Sequence, residues 1–400
     1  MTKLATCLLI ALSTQALSAA TTIEFWYSLA GSKDVLYKQI DAFNASQKDY
    51  QIVPKLVGNY RESETRLIAA LRAGNGPTLF QAENAFFIKL VSDGALENLE
   101  SFEKTFGQDF IKDFYPAVWN YGDYDGKRYG LPWNTSTPVL FYNASAFSAK
   151  GLTPPKTYDD LEAVAKKLTN RATKGYIAVA ESWQFEQMVA ARGGRVVTAD
   201  GKPNFESKEV VEALELLARM VTNKTAIPRT LGEAQFAVLD FVRTKSFMAM
   251  ASIANTTDIE PYSVAFKLGI APMPCDKQCA VPIGGGQLVV LKGAGAKEQA
   301  GAVAFWKFLM EPNNLKAWVE QTYYVSPRKS VLPLLKDFYR NDPQRKTAFE
   351  QLEIGFSRPR VSGYVLWRNY LEEAIEKATK NGVPAKVALA EAQKKALSAH

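Results

Sequence analysis

Short apolar strands alternating with amphipathic helices fill the first hundred residues, and this alternation narrows the possible folds more than any other feature. TTIEFWYSL (21–29) reads as a strand, and VLYKQIDAFNAS (35–46) as a helix with Leu36, Ile40 and Phe43 on one face. QIVPKLVG (51–58), a helix over 61–74 and PTLFQA (77–82) continue the series. Strand–helix–strand units predict parallel strands joined by crossovers, hence an α/β layer structure. The pattern returns at VLFYN (139–143), a helix over 157–170, YIAVA (176–180) and a helix over 183–192. A further helix carries Val210, Val211, Leu214, Leu217 and Val221 at helical spacing, and strands follow at 246–252, 267–274 and 286–293. From Lys297 onward the pattern is mostly helical.

A chain of 400 residues exceeds what one hydrophobic core usually organises, so two lobes are expected. In open parallel sheets ligands gather outside the carboxyl ends of the strands. The informative residues are therefore those just after strands.

The N-terminus, MTKLATCLLIALSTQALSAA, has one cation at Lys3, an apolar run from Leu4 to Leu12 and small residues before Thr21. That is the pattern of a secretory signal peptide over 1–20, with an apolar run too short to span a bilayer. A soluble exported chain is expected. The formal charge of +7 comes from basic residues scattered along the sequence. Nucleic-acid binding would need a dense basic cluster, so no nucleic-acid partner is expected.

Beyond the leader only Cys275 and Cys279 remain, in PCDKQCA. In an oxidising compartment they fit a small disulfide loop; a metal site is the weaker alternative, because no histidine can join them. The one histidine is His400. That removes Ser-His-Asp and Cys-His catalytic sites and His-based zinc sites. Carboxylate-only catalysis survives as an option, with Glu83, Glu181 and Glu186 as possible acids that nothing places at catalytic separation.

The segments GNYRES (58–63), AALRAGNGPTLFQAEN (69–84), LPWNTSTPVLFYN (131–143), PIGGGQLVVL (282–291) and YVLWRNYLEEAIEKA (364–378) occur in one order. Together they resemble the periplasmic solute-binding proteins of carbohydrate-type ABC importers, and within them the branch that carries sn-glycerol-3-phosphate. The resemblance implies a two-lobed α/β fold with a ligand cleft between the lobes and hinge crossings. It implies a monomer in the periplasm, with no catalysis, cofactor or metal, that delivers its ligand to transmembrane permease subunits. The expected division is a first lobe of 21–130 plus 268–311 and a second of 131–267 plus 312–400.

The same resemblance nominates the binding residues. Arg368 matches the family's phosphate-binding arginine, and a planar guanidinium suits phosphate because it can give two charge-assisted bonds. Gly285 aligns with a ligand-contacting glycine; by composition alone the glycine run reads as a turn or bulge. Tyr60 and Tyr324 match two family tyrosines, and Tyr60 stands just after a strand. Ser136 matches a ligand-contacting small residue in a stretch placed where the chain crosses between lobes, with Trp133 expected as an apolar wall. Trp183 matches an aromatic that stacks over glycerol carbons. Where the family has a second tryptophan this chain has Glu186; a carboxylate repels phosphate, so either Glu186 points away or the ligand differs, as a phosphodiester with a cationic head group such as glycerophosphocholine or glycerophosphoethanolamine would. Ungapped reading puts Asn84 at the family's glycerol-binding glutamate, with Glu83 immediately before it, and the two stand as alternatives. Ser252, in AMASIAN, is placed with shorter local spacing. The alternative function is a receptor for a neutral sugar or oligosaccharide, which would leave Arg368 without its anion.

Overall fold

The computed structural model describes residues 19–399. The expected signal peptide, except for its last two residues, lies outside them, as does His400. β1 (Thr21–Tyr27), α1 (Lys33–Ser46), β2 (Tyr50–Leu56), α2 (Tyr60–Arg72), β3 (Leu79–Glu83) and α3 (Asn84–Ser92) follow the alternation read from the sequence. β1 lies between β2 and β3 and runs parallel to both. Local chemistry sets the helix starts. Asn59 accepts from the backbone N–H of Glu62 while Glu62 reaches back to the backbone of Asn59, a capping box that satisfies two N-terminal donors of α2.

The chain continues with β4 (Gly130–Ser136), β5 (Pro138–Asn143), α4 (Tyr158–Leu168), β6 (Tyr176–Val179), α5 (Ser182–Ala191), α6 (Lys208–Thr222) and β7 (Ala226–Arg229). β8 (Met248–Ser252), β9 (Leu268–Ala271) and β10 (Gly284–Val290) follow, then α7 (Ala296–Leu309), α8 (Pro312–Thr322), α9 (Tyr364–Lys380) and α10 (Ala385–Ser398). Among the described residues no helix is long and apolar enough to cross a membrane. Cys275 and Cys279 are joined in a disulfide.

The first sheet has the order β2-β1-β3-β10-β4, and the second β8-β5-β9. The expectation of parallel strands holds for β2-β1-β3 and for the separate pair β6-β7. It fails elsewhere: β10 is antiparallel to β3 and β4, and the second sheet is antiparallel throughout. The reason is connectivity. β10 reaches the first sheet from the other lobe and not through a helical crossover, so no βαβ unit dictates its direction.

Thr137 alone separates β4, in the first sheet, from β5, in the second. The chain therefore passes between lobes at Ser136–Pro138 and returns between β9 and Gly284, which pairs with Ser136. The expected boundaries need correction at three places. Residues 131–136 belong to the first sheet, and 268–271 to the second. Residues 312–335 lie with the first lobe, because Leu315, Trp318, Val331 and Leu335 share a core with Phe25, Leu36 and Phe305. The remaining C-terminal helices pack on the second lobe, where Leu371, Ile375 and Leu389 meet Leu161, Leu214 and Leu217. Composition shifts at none of these points; partner strands and packing decide membership.

Candidate functional site

A cleft of about 790 Å³ opens between the lobes, lined by residues that follow strand ends: Ser28 after β1, Glu83 at the end of β3, Glu181 after β6 and Ser252 at the end of β8. Of the residues nominated from sequence, Tyr60, Glu83, Ser136, Trp183, Ser252, Gly285, Tyr324 and Arg368 all line it. Asn84 and Glu186 do not. Asn84 is 1% exposed; its amide donates to the Ile283 carbonyl and accepts from Gln287. Between the two alternatives at this junction, the cleft wall is Glu83. Glu186, 3% exposed, is turned behind the wall, bonded to Arg358 and to the Tyr364 hydroxyl. Of the two alternatives for Glu186 the structure shows the first, a side chain pointing away, and not a head-group contact, because both its oxygens are committed to interior donors. Trp133 is also misplaced by the sequence reading. It is 1% exposed inside the first lobe, 5.1 Å from Trp318 between ring centroids. β4 alternates its side chains, and Trp133 falls on the core face.

Tyr60 is the first residue of α2, held by the Asn59 cap. Its hydroxyl oxygen accepts from Asn134 Nδ2 at 2.8 Å and from Gln81 Nε2 at 3.2 Å. Gln81 is itself fixed, donating to Asn134 Oδ1 at 2.9 Å and accepting from the Ser28 backbone at 2.7 Å. With two donors on its oxygen, Tyr60 turns its own proton to the neighbouring Tyr324 hydroxyl, which also lines the cleft. Burial pushes its pKa well above the usual value, with the neighbouring Tyr324 adding to the effect, so it stays a neutral donor.

The glycine run is a bulge, and it is also part of the cleft wall. The register between β10 and β4 shifts between Gly285 and Gln287. Gly285 has φ +99, and a Cβ there would sit 1.6 Å from the Asn134 carbonyl oxygen. A Cβ on Gly284 would sit 2.5 Å from the Trp183 ring and 2.7 Å from Ser136 Oγ. Only glycine admits this approach. Trp183 donates its indole N–H to the Pro282 carbonyl at 3.0 Å, so what it offers the cleft is its ring surface.

Behind these groups lies a buried ionic cluster. Arg368, 2% exposed, donates Nη1 to Glu83 Oε2 at 2.8 Å and Nη2 to both oxygens of Glu64 at 2.7 Å. Its Nε is buried with no partner among the described residues. Arg358 donates Nη1 to Glu83 Oε1 at 2.8 Å, Nε and Nη2 to Glu186, and Nη2 to Ser182 Oγ at 3.1 Å. Glu83 therefore gives one oxygen to each arginine, and it also caps α3 through the backbone N–H groups of Ala85 and Phe86. Burial would raise its pKa, but Arg358 and Arg368 outweigh burial and hold it at about 2. Burial wins at Glu64 and at Glu186, whose pKa values lie above the ordinary value despite their arginines. Farther out, Arg61 of α2 bonds Glu372 of α9 at 2.8 Å and Asn369 at 3.0 Å. The arginines of the second lobe thus meet carboxylates of the first across the cleft.

Sequence reading missed Arg358, Glu64 and the Gln81–Asn134 pair. Arg358 stands in an irregular segment with no motif around it. A signal for Glu64 did exist: it follows Arg61 by three residues, so both lie on one face of α2, a face that would otherwise pass for a solvated one.

Residues 38–347 match the bacterial extracellular solute-binding protein family. Over 361 residues the chain is 32% identical to the sn-glycerol-3-phosphate-binding periplasmic protein UgpB of Escherichia coli K12, covering 84% of this chain and 81% of that one. Its fold matches UgpB of Mycobacterium tuberculosis in complex with glycerophosphocholine, with a TM-score of 0.86 at 20% identity over 95% of this chain and 98% of that one. It also matches maltose-bound MalE3 of T. maritima, with a TM-score of 0.81 at 20% identity over 94% and 99%. Those two likenesses show the two-lobed architecture. With the family match spanning both lobes and the identity to UgpB running through most of each sequence, this chain belongs to the bacterial extracellular solute-binding proteins.

Proposed function

We propose that this protein is a monomeric periplasmic receptor of an ABC importer that captures a glycerol phosphate in its cleft and hands it to the membrane permease. It acts as a receptor and not as an enzyme. The observation that carries this reading is Arg368, a buried guanidinium on the cleft wall whose Nε–H has no partner among the described residues, in a cleft that Tyr60 and Tyr324 also line. An arginine held this way matches phosphate better than it matches a neutral sugar. Identity to a named glycerol-3-phosphate-binding relative supports the same ligand class.

Within that class the charge of the wall favours a glycerophosphodiester over the monoester. The lining holds Arg61, Arg358 and Arg368 against Glu62, Glu64, Glu83, Glu181 and Asp258. A monoester brings nearly two negative charges to a wall already rich in carboxylates. A diester with a cationic head group brings one, plus a cation. Glu181 also lines the cleft, with its two oxygens capping α5 through the backbone N–H groups of Trp183 and Gln184. Calorimetric titration with glycerophosphocholine, glycerol-3-phosphate and maltose, followed by product analysis, tests this. Binding of the phosphorylated ligands, tightest for the diester, unturned over and weakened by salt, is expected. Binding of maltose alone would overturn the reading.

A further inference from the structure

Arg368 is the cation an anionic ligand would reach, and Glu64 already occupies it. Both Glu64 oxygens lie 2.7 Å from Nη2, and Glu64 itself lines the cleft. The three carboxylates around the two buried arginines differ in how firmly they are held. Glu83 is bound by both arginines and by two backbone N–H groups. Glu186 is locked behind the wall by Arg358 and Tyr364. Among the described residues Glu64 has a single ion-pair partner, Arg368. With two arginines and three carboxylates, the cluster has no positive charge to spare for a phosphate while all three remain ionised and in place.

We infer that Glu64 is a built-in competitor for Arg368: an anionic ligand binds by displacing the Glu64 carboxylate from Nη2, and Glu64 thereby sets the affinity and selectivity of the cleft. This rests on the phosphorylated-ligand reading above. Glu64 faces Arg368 of α9, Glu83 of β3 and Arg61 of its own helix. Arg358 lies beyond Glu83, and Glu372 of α9 is paired to Arg61. Displacement takes away the main cation and adds the phosphate's negative charge, and both effects favour the protonated acid. The complex then holds more protons than the free protein, so affinity rises as pH falls. Burial already pushes the Glu64 pKa upward in the free protein.

The test uses glycerophosphocholine, whose diester phosphate does not titrate near neutral pH. Calorimetry in buffers of different ionisation enthalpy is expected to show proton uptake on binding to the wild-type protein. Glu64→Gln, which keeps the shape but only a neutral acceptor, is expected to bind about tenfold tighter or more, the difference between a charged and a neutral hydrogen-bond partner. Its affinity is also expected to lose the pH slope. A Glu64 that merely positions Arg368 would give the reverse, weaker binding in Glu64→Gln. No proton uptake, or no tightening, overturns the inference; should the variant not fold, the wild-type proton count decides alone. If the wild-type protein binds no phosphorylated ligand at all, the functional reading fails and this inference falls with it.

Discussion

Replacing Arg368 with alanine is expected to abolish measurable binding of phosphorylated glycerols, a loss of at least about 100-fold, the scale seen when one partner of a buried charge pair is removed from an interface. The same change should lower folding stability by about 3–5 kcal/mol, because Glu64 and Glu83 are left buried with a charge missing. The two effects can be separated. Arg368→Lys restores a positive charge but not the planar fork, since an ammonium cannot reach Glu64 and Glu83 and still present a free N–H. Lysine should therefore recover part of the stability and little of the affinity. Urea unfolding and titration with glycerophosphocholine read the two quantities independently. Undiminished binding in Arg368→Ala would remove the guanidinium from the site.

Glu83→Gln is the second large effect, and its signature is its pH dependence. The Glu83 carboxyl is held at about 2 against an ordinary 4.5, with Arg358 and Arg368 overcoming its burial. A depressed folded-state pKa contributes stability that is fully present above the unfolded value and is lost as pH falls through the folded one. At about 1.4 kcal/mol per unit, the shift corresponds to about 3 kcal/mol, present above about pH 4.5 and gone near pH 2. Glutamine removes the ionised form while keeping an oxygen for the backbone N–H groups that cap α3. The variant should therefore be less stable by about that amount at neutral pH and show a flatter acid limb between those limits. Urea midpoints measured across that range check it. Equal acid limbs for the two proteins would mean that Glu83 does not bind the arginines as described.

Local patterns in the sequence carried the strands and helices, and quoted segments carried the family. What they could not carry was decided by contacts distant along the chain. The β3–α3 junction shows this at one-residue scale: Glu83 and Asn84 are adjacent and both polar, yet one forms cleft wall and the other is sealed against Ile283 and Gln287. Side-chain alternation along β4 sends Ser136 to the cleft and Trp133 to the core, a difference that depends on which sheet β4 joins. Glu186 was chosen by its place in a motif, but its orientation follows from Arg358, 172 residues away in sequence. The lobe boundaries failed for the same reason, since sheet partners 150 residues apart leave no mark on local composition. Where chemistry was local and demanding, as in the Gly284–Gly286 run, the residues themselves announced it.

A crystal structure of the protein with glycerophosphocholine bound is the most direct test of how the cleft works. Phosphate oxygens are expected within about 2.7–2.9 Å of the Arg368 guanidinium, the usual length for such charged pairs, with the Glu64 carboxylate moved off Nη2 and the glycerol carbons against Trp183. A phosphate seated elsewhere while Arg368 keeps Glu64 would contradict this arrangement.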